Sequence, residues 1–152
     1  MFIVNVEGAI RKGNQWLIIE RSQKEEHAGG LLSLVGGKVE IEGNSSAILE
    51  RTLKREILEE VGVNVKEKLH YVHSTSFMTE SGEHVVDIVF VCEYESGEPI
   101  ANSLDEVANV YWYTTDEILS HPNSPSYLKE YISYSDQVVQ NMQKGGGIKD
   151  DF

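Results

Sequence analysis

Apolar residues crowd two early segments, MFIVNVEGAI (1–10) and QWLIIER (15–21), with the polar RKGN between them. This pattern predicts two strands joined by a tight turn. SQKEEHAGGLLSLVGGKVEIEGNSS (22–46) carries five glycines and reads as a loop with short extended pieces. The period then changes. Leu49, Leu53, Ile57 and Val61 recur every fourth residue, which puts one apolar stripe on a helix. Asn44, Ser45 or Ser46 is the expected cap at its start, and Gly62 the residue that closes it. HYVHSTSFM (70–78) and EHVVDIVFVCEY (83–94) predict a hairpin around TESG. The second of these strands is apolar on nearly both faces, as in the centre of a sheet covered on each side. ANVYWYT predicts another strand, TDEILS a short helix and PSYLKEYISYSDQVVQNMQ a C-terminal helix. Strands mixed with two substantial helices imply an α/β domain of three layers. One domain is expected over residues 1–144, with 145–152 a disordered tail.

Composition narrows the partners. The formal net charge of −12 disfavours contact with nucleic-acid polymers and anionic membranes. A small anionic substrate stays compatible with that charge if a cation stands between it and the protein. No apolar run approaches the roughly 20 residues that span a membrane. The N-terminus lacks the basic start and small-residue cleavage site of a signal peptide. Cys92 is the only cysteine and sits in an apolar strand, so a buried inert thiol and a reducing cytoplasm are expected.

REILEEVGV (55–63) places Glu56, Glu59 and Glu60 along one side of the predicted helix. Like charges at this spacing cost a helix roughly 0.2–0.5 kcal/mol per pair. Gly62 marks the helix end, where the dipole also disfavours anions. Two readings compete for such a cluster: a solvated helix face, or a site for a hard divalent cation that prefers carboxylate oxygen.

The surrounding residues favour the second. GGKVE (36–40) followed by REILEEVGV resembles the signature of the Nudix hydrolases, of MutT-like type. Arg55, Glu56, Ile57, Glu59, Glu60, Gly62 and Val63 meet every specified position of its second half. The first half departs from the pattern. Eighteen positions separate Gly37 from Arg55 where the signature has fourteen, and Asn44 stands in place of its first glutamate. The excess of four is close to one helical turn, so a helix lengthened at its start would keep the glutamates in place. Glu50 is a weaker candidate to replace the missing acid.

The resemblance implies a Nudix-type three-layer α/β/α sandwich with a mixed β-sheet. It also implies a phosphoanhydride hydrolase acting on a nucleoside diphosphate linked to another group, or on a nucleoside triphosphate, with Mg²⁺ or Mn²⁺ as cofactor. Under it Glu56, Glu59 and Glu60 hold metal, joined by a backbone carbonyl of Gly36 or Gly37, and Arg55 positions a carboxylate. Arg21 would face the substrate. Glu106, six residues before Trp112, would be a further catalytic or metal-binding acid. Glu56, Glu59 and Glu106 all qualify as the general base. A homodimer is compatible, as dimers are frequent among such proteins. The alternative functions are a Nudix-fold nucleotide or metabolite sensor without catalysis, or an interaction domain with a solvated acidic helix. The histidines show neither HExxH nor Cys/His ligand spacing, which argues against zinc.

Overall fold

The computed structural model describes residues 1–25 and 28–145. The elements run β1 (Phe2–Lys12), β2 (Gln15–Arg21), β3 (Leu32–Ser33), β4 (Val35–Lys38) and α1 (Ile48–Val61). They continue as β5 (Asn64–Val65), β6 (His70–Met78), β7 (His84–Ser96), β8 (Val107–Thr114), α2 (Thr115–Ser120) and α3 (Ser126–Lys144). The eight strands join in one mixed sheet. β1 and β7 run parallel from Phe2↔His84 to Arg11↔Glu93, while β6 pairs antiparallel with β7 and β8 with β2. The expected three-layer sandwich is therefore the observed fold.

Alternation along the strands builds a core on each face. Leu17 and Ile19 of β2, with Phe90 and Cys92 of β7, pack under α1 with Leu53, Ile57 and Val61. Trp16 and Ile18, with Val89 and Val91, face α2 and α3 and meet Ile118, Leu128 and Ile132. Leu53, Ile57 and Val61 are fully buried, worth about 1.5–3 kcal/mol each. That outweighs the repulsion among the glutamates beside the stripe, so α1 forms despite it. Gly8 lets the helix come close: a Cβ there would lie 3.2 Å from both Cys92 Sγ and Ile57 Cδ1. Cys92 is buried, and burial pushes its thiol up to about 12, as suits an inert core residue.

The start of α1 corrects one expectation. Asn44, Ser45 and Ser46 make no capping bond; Ala47, at φ 51°, occupies the cap position without any side-chain contribution. Arg51 instead ties down the preceding loop, donating to the Ser46 carbonyl (2.9 Å) and to Glu42 (2.7 Å). Residues 39–47 lie before the helix, so the surplus residues of the motif do not all go into an added turn. The tail expected over 145–152 falls, apart from Gly145, outside the described residues.

Candidate active site

The last turn of α1 ends at Gly62, whose φ of 69° forms a left-handed cap with its N–H on the Leu58 carbonyl. No basic residue sits in that turn. The loop after β7 then docks on the helix end: Ile100 and Asn102 donate their backbone N–H groups to the carbonyls of Val61 and Glu60. Farther along the same loop, Ser22 N–H holds the Glu106 carbonyl at 2.9 Å. Two backbone anchors, one on the helix and one just past β2, thus bring Glu106 against Glu60 across 46 positions of sequence.

Glu60 is buried, with 9% of its surface exposed. Burial, then the carboxylates of Glu56 and Glu106 and a hydrogen bond to Glu106, push it up to about 8. Arg21 opposes that shift from the end of β2, where a bulge between Glu20 and Arg21 redirects the chain. Glu56 is raised as well, first by burial and then by Glu59 and Glu106, against the pull of Arg55. Arg55 Nη1 donates to Glu56 Oε1 (3.2 Å) and to Glu59 Oε2 (3.3 Å), so it holds two carboxylates rather than the one expected. Glu59 lies toward solvent, its side chain 59% exposed.

The two glycines of β4 serve different contacts. A Cβ on Gly37 would collide with the Glu56 carboxyl carbon and lie 2.7 Å from its Cγ. The Glu56 carboxylate is therefore seated directly on the Gly37 backbone. At Gly36 a Cβ would strike the Val6 carbonyl, so this glycine lets β4 cross β1 at Glu7↔Gly36. Asn44 lies exposed in the loop before the helix, away from these contacts.

The structure thus gathers Glu56, Glu60 and Glu106, with Arg55, Glu59, Arg21, Gly36 and Gly37 around them. Among the described residues no group of three or more His, Cys, Asp or Glu side chains is arranged so that those side chains by themselves could hold a metal ion. The donor set is a cluster of hard oxygens in which Glu56 and Glu60 are raised first by burial and then by neighbouring carboxylates, against the pull of Arg55 and Arg21. Carboxylate oxygens are the donors that a hard divalent cation prefers.

Sequence reasoning missed a second acidic centre. Arg21 also reaches Glu7 of β1, which lies beside Asp87 of β7. Asp87 is 4% exposed and accepts a hydrogen bond from Tyr131 on α3 at 2.8 Å. The available signal was a lone aspartate inside VVDIVFV, a strand otherwise apolar on both faces.

Comparison with known proteins agrees with this fold and site. A family model described as the NUDIX domain matches residues 1–133. The chain belongs to the NUDIX family. A "MutT NUDIX hydrolase" from Burkholderia pseudomallei is 27% identical, with TM-score 0.74 over 88% of this chain and 98% of that one. The "NAD-capped RNA hydrolase NudC" of Yersinia enterocolitica is 33% identical over 131 residues, 86% of this chain. This chain spans 45% of that relative's length. The Shewanella oneidensis NrtR NUDIX domain, solved with ADP ribose, shares the fold at TM-score 0.68 and 16% identity, covering 93% of this chain and 89% of that one. Hydrolases of this family act on pyrophosphate bonds and generally need divalent metal ions. Among the described residues no helix is long and apolar enough to cross a membrane.

Proposed function

We propose that this chain hydrolyses the phosphoanhydride bond of a nucleoside diphosphate linked to a second group, using Mg²⁺ or Mn²⁺ held by Glu56, Glu59 and Glu60. The observation that carries the reading is the Glu56–Glu60–Glu106 cluster, with Glu56 seated on Gly37, and with Glu56 and Glu60 raised first by burial and then by the neighbouring carboxylates. When bound, a divalent cation supplies charge neutralisation at the phosphate oxygens and makes a water easier to deprotonate.

The chain's own residues do the rest. Glu56, Glu59 and Glu60 would hold the cation, with a backbone carbonyl of Gly36 or Gly37 completing the donors. Arg55 fixes the Glu56 and Glu59 carboxylates by charge-assisted bonds. Arg21 takes a substrate phosphate, for it stands between the acidic helix and the neighbouring cavity. Water oxygen attacks one phosphorus, its proton passes to a carboxylate, and the bridging P–O bond breaks with the electron pair leaving on the departing phosphate. Glu106, Glu59 and Glu56 are the carboxylates within the cluster available to take that proton.

The NudC relative is named for NAD-capped RNA. The net charge of −12 argues against a grip on the RNA chain here and favours a small nucleotide-type substrate. The test is a screen of ADP-ribose, sugar nucleotides, dinucleotides, dinucleoside polyphosphates and nucleoside triphosphates with Mg²⁺ or Mn²⁺, following products by mass. Cleavage at a pyrophosphate bond in at least one class, abolished by chelation, is the expected result. No cleavage of any of them with either metal overturns the reading and leaves a nucleotide sensor.

A further inference from the structure

Arg21 and Glu106 belong to different elements, yet one residue joins them. β2 ends at Arg21 beside a bulge, and Arg21 pairs with Val107, the first residue of β8. One step beyond, the Ser22 N–H donates to the Glu106 carbonyl at 2.9 Å and adds a last rung to the β2–β8 ladder. Arg21 is fixed independently on its other edge. Its N–H meets the Leu31 carbonyl at 2.9 Å, and its carbonyl the Gly30 N–H at 2.8 Å. It also lines a cavity of about 810 Å³ that reaches Gly36 and Gly37. Where Glu106 stands relative to Arg21 therefore depends on the conformation of Ser22.

Ser22 is a polar residue held out of water, with 6% of its surface exposed. Burial of a hydroxyl is unfavourable unless it is bonded, and here the bond is local. Ser22 Oγ accepts the Lys24 N–H at 3.2 Å, and the Ser22 carbonyl accepts the Glu25 N–H at 3.0 Å. A serine that bonds the backbone two residues on closes a turn. This turn brings Glu25 back to Arg21, carboxylate to guanidinium at 3.6 Å. The same turn keeps the Ser22 N–H aimed at Glu106. Gly29 packs close behind it, where a Cβ would lie 3.2 Å from the Ser22 carbonyl.

We propose that Ser22 is a positioning residue of the hydrolytic site, whose hydroxyl closes the turn that holds Glu106 in a set place between Arg21 and Glu60. The inference rests on the reading of this site as a pyrophosphate hydrolase in which Glu106 takes part in the reaction. Ser22 itself touches no reacting atom. Without its hydroxyl the turn loosens and Glu106 leaves its working place, while Arg21 stays on its own backbone bonds and the fold on its two cores.

The test is steady-state kinetics in Mg²⁺ of the native chain, Ser22→Ala, Glu106→Gln and the double variant. The substrate is whichever of ADP-ribose, a sugar nucleotide, a dinucleoside polyphosphate or a nucleoside triphosphate the native chain cleaves best. Ser22→Ala lowers kcat roughly three- to tenfold, the range of one neutral hydrogen bond, and leaves KM within about twofold. In the Glu106→Gln background the same change lowers kcat less than about twofold, since the acid it would misplace is gone. Ser22→Thr, which keeps the hydroxyl, restores kcat to within about twofold of native. Should Ser22→Ala not fold, Ser22→Cys, whose sulfur accepts only weakly, takes its place. A native-like kcat in the folded variant, a loss carried by KM alone, equal losses in both backgrounds, or a folded Ser22→Thr as slow as Ser22→Ala would each overturn the proposal. A merely structural serine gives those equal losses. No cleavage by the native chain refutes the reaction itself and removes the role of Ser22 with it, whereas cleavage with any of those four outcomes refutes the positioning role alone.

Discussion

Two acidic centres flank Arg21, and they differ in almost everything except their functional group. The first stands on the end of α1, partly open to solvent, with Arg55 bridging two of its members. The second lies on the sheet between β1 and β7, with Asp87 4% exposed and fastened by a tyrosine from α3. Helical spacing presents several carboxylates to one point in space, which is what a divalent cation needs. Strand register presents one carboxyl beside another on the sheet, where Glu7 and Asp87 pair and Tyr131 donates to Asp87. The same chemistry thus gives an open cluster or a buried pair according to the element that carries it and the water it keeps.

The sharpest way to break this contrast is to neutralise the helical centre. Glu60→Gln or Glu59→Gln should lower turnover by two orders of magnitude or more, about 2.7 kcal/mol or above in the barrier. Chelated protein should keep its fold and gain slightly in melting temperature as repulsion is relieved. Near-native turnover in both variants at saturating Mg²⁺ would remove the metal role from the helix.

Glu106→Gln comes next. As base or further ligand it should depress kcat by roughly ten- to a hundredfold with little change in KM, the pattern of a role confined to the transition state. Loss of the acidic limb of the kcat–pH profile would identify the base, and a raised metal requirement a ligand. An unchanged kcat, KM and metal requirement would make Glu106 only the residue that anchors its loop.

The glycines separate packing from chemistry. Gly37→Ala places a methyl where the Glu56 carboxyl sits, so turnover and metal affinity should fall about tenfold while melting changes little. Gly36→Ala strikes the Val6 carbonyl of β1 and should chiefly lower the melting temperature. Reversal of the two effects would mean that Gly37 holds the sheet and Gly36 the site.

The smallest effect is on stability against pH in chelated protein. The folded-state value of Glu60 is raised to about 8 from 4.5, so the folded chain binds more protons than the unfolded chain between those limits. Stability contributed by this group is complete below 4.5 and declines as pH rises toward 8. A fall of several degrees in melting temperature from pH 5 to 8, largely reversed by Mg²⁺, is expected. A melting temperature that climbs over the same range in chelator would contradict the raised value.

Much of this was legible along the chain, and the reason is geometric. The α1 stripe Leu49, Leu53, Ile57 and Val61, and the glutamates along its edge, are local patterns of one helix. The doubly apolar β7 announced a sheet covered on both faces, and Cys92 its buried thiol. Contacts across long separations were harder to read. Glu106 was a candidate because it precedes Trp112, but its seat against Glu60 depends on backbone bonds to Ser22 and to the helix end. The Glu7–Asp87 centre arises from the parallel pairing of β1 with β7, Asn5 facing Asp87 and Glu7 two residues on, which no local pattern encodes. The cap of α1 was misread because Arg51 stabilises the preceding loop from within the helix, a role that the serines before it conceal.

Titration of Mn²⁺ and Mg²⁺ into the native chain and into Glu60→Gln, followed by calorimetry, tests the central claim most directly. The account predicts saturable binding to the native chain with release of protons at pH 7, since Glu60 must ionise to bind. It predicts binding at least tenfold weaker, with less proton release, in Glu60→Gln. Identical isotherms for the two proteins, or heats no larger than dilution for the native chain, would contradict it.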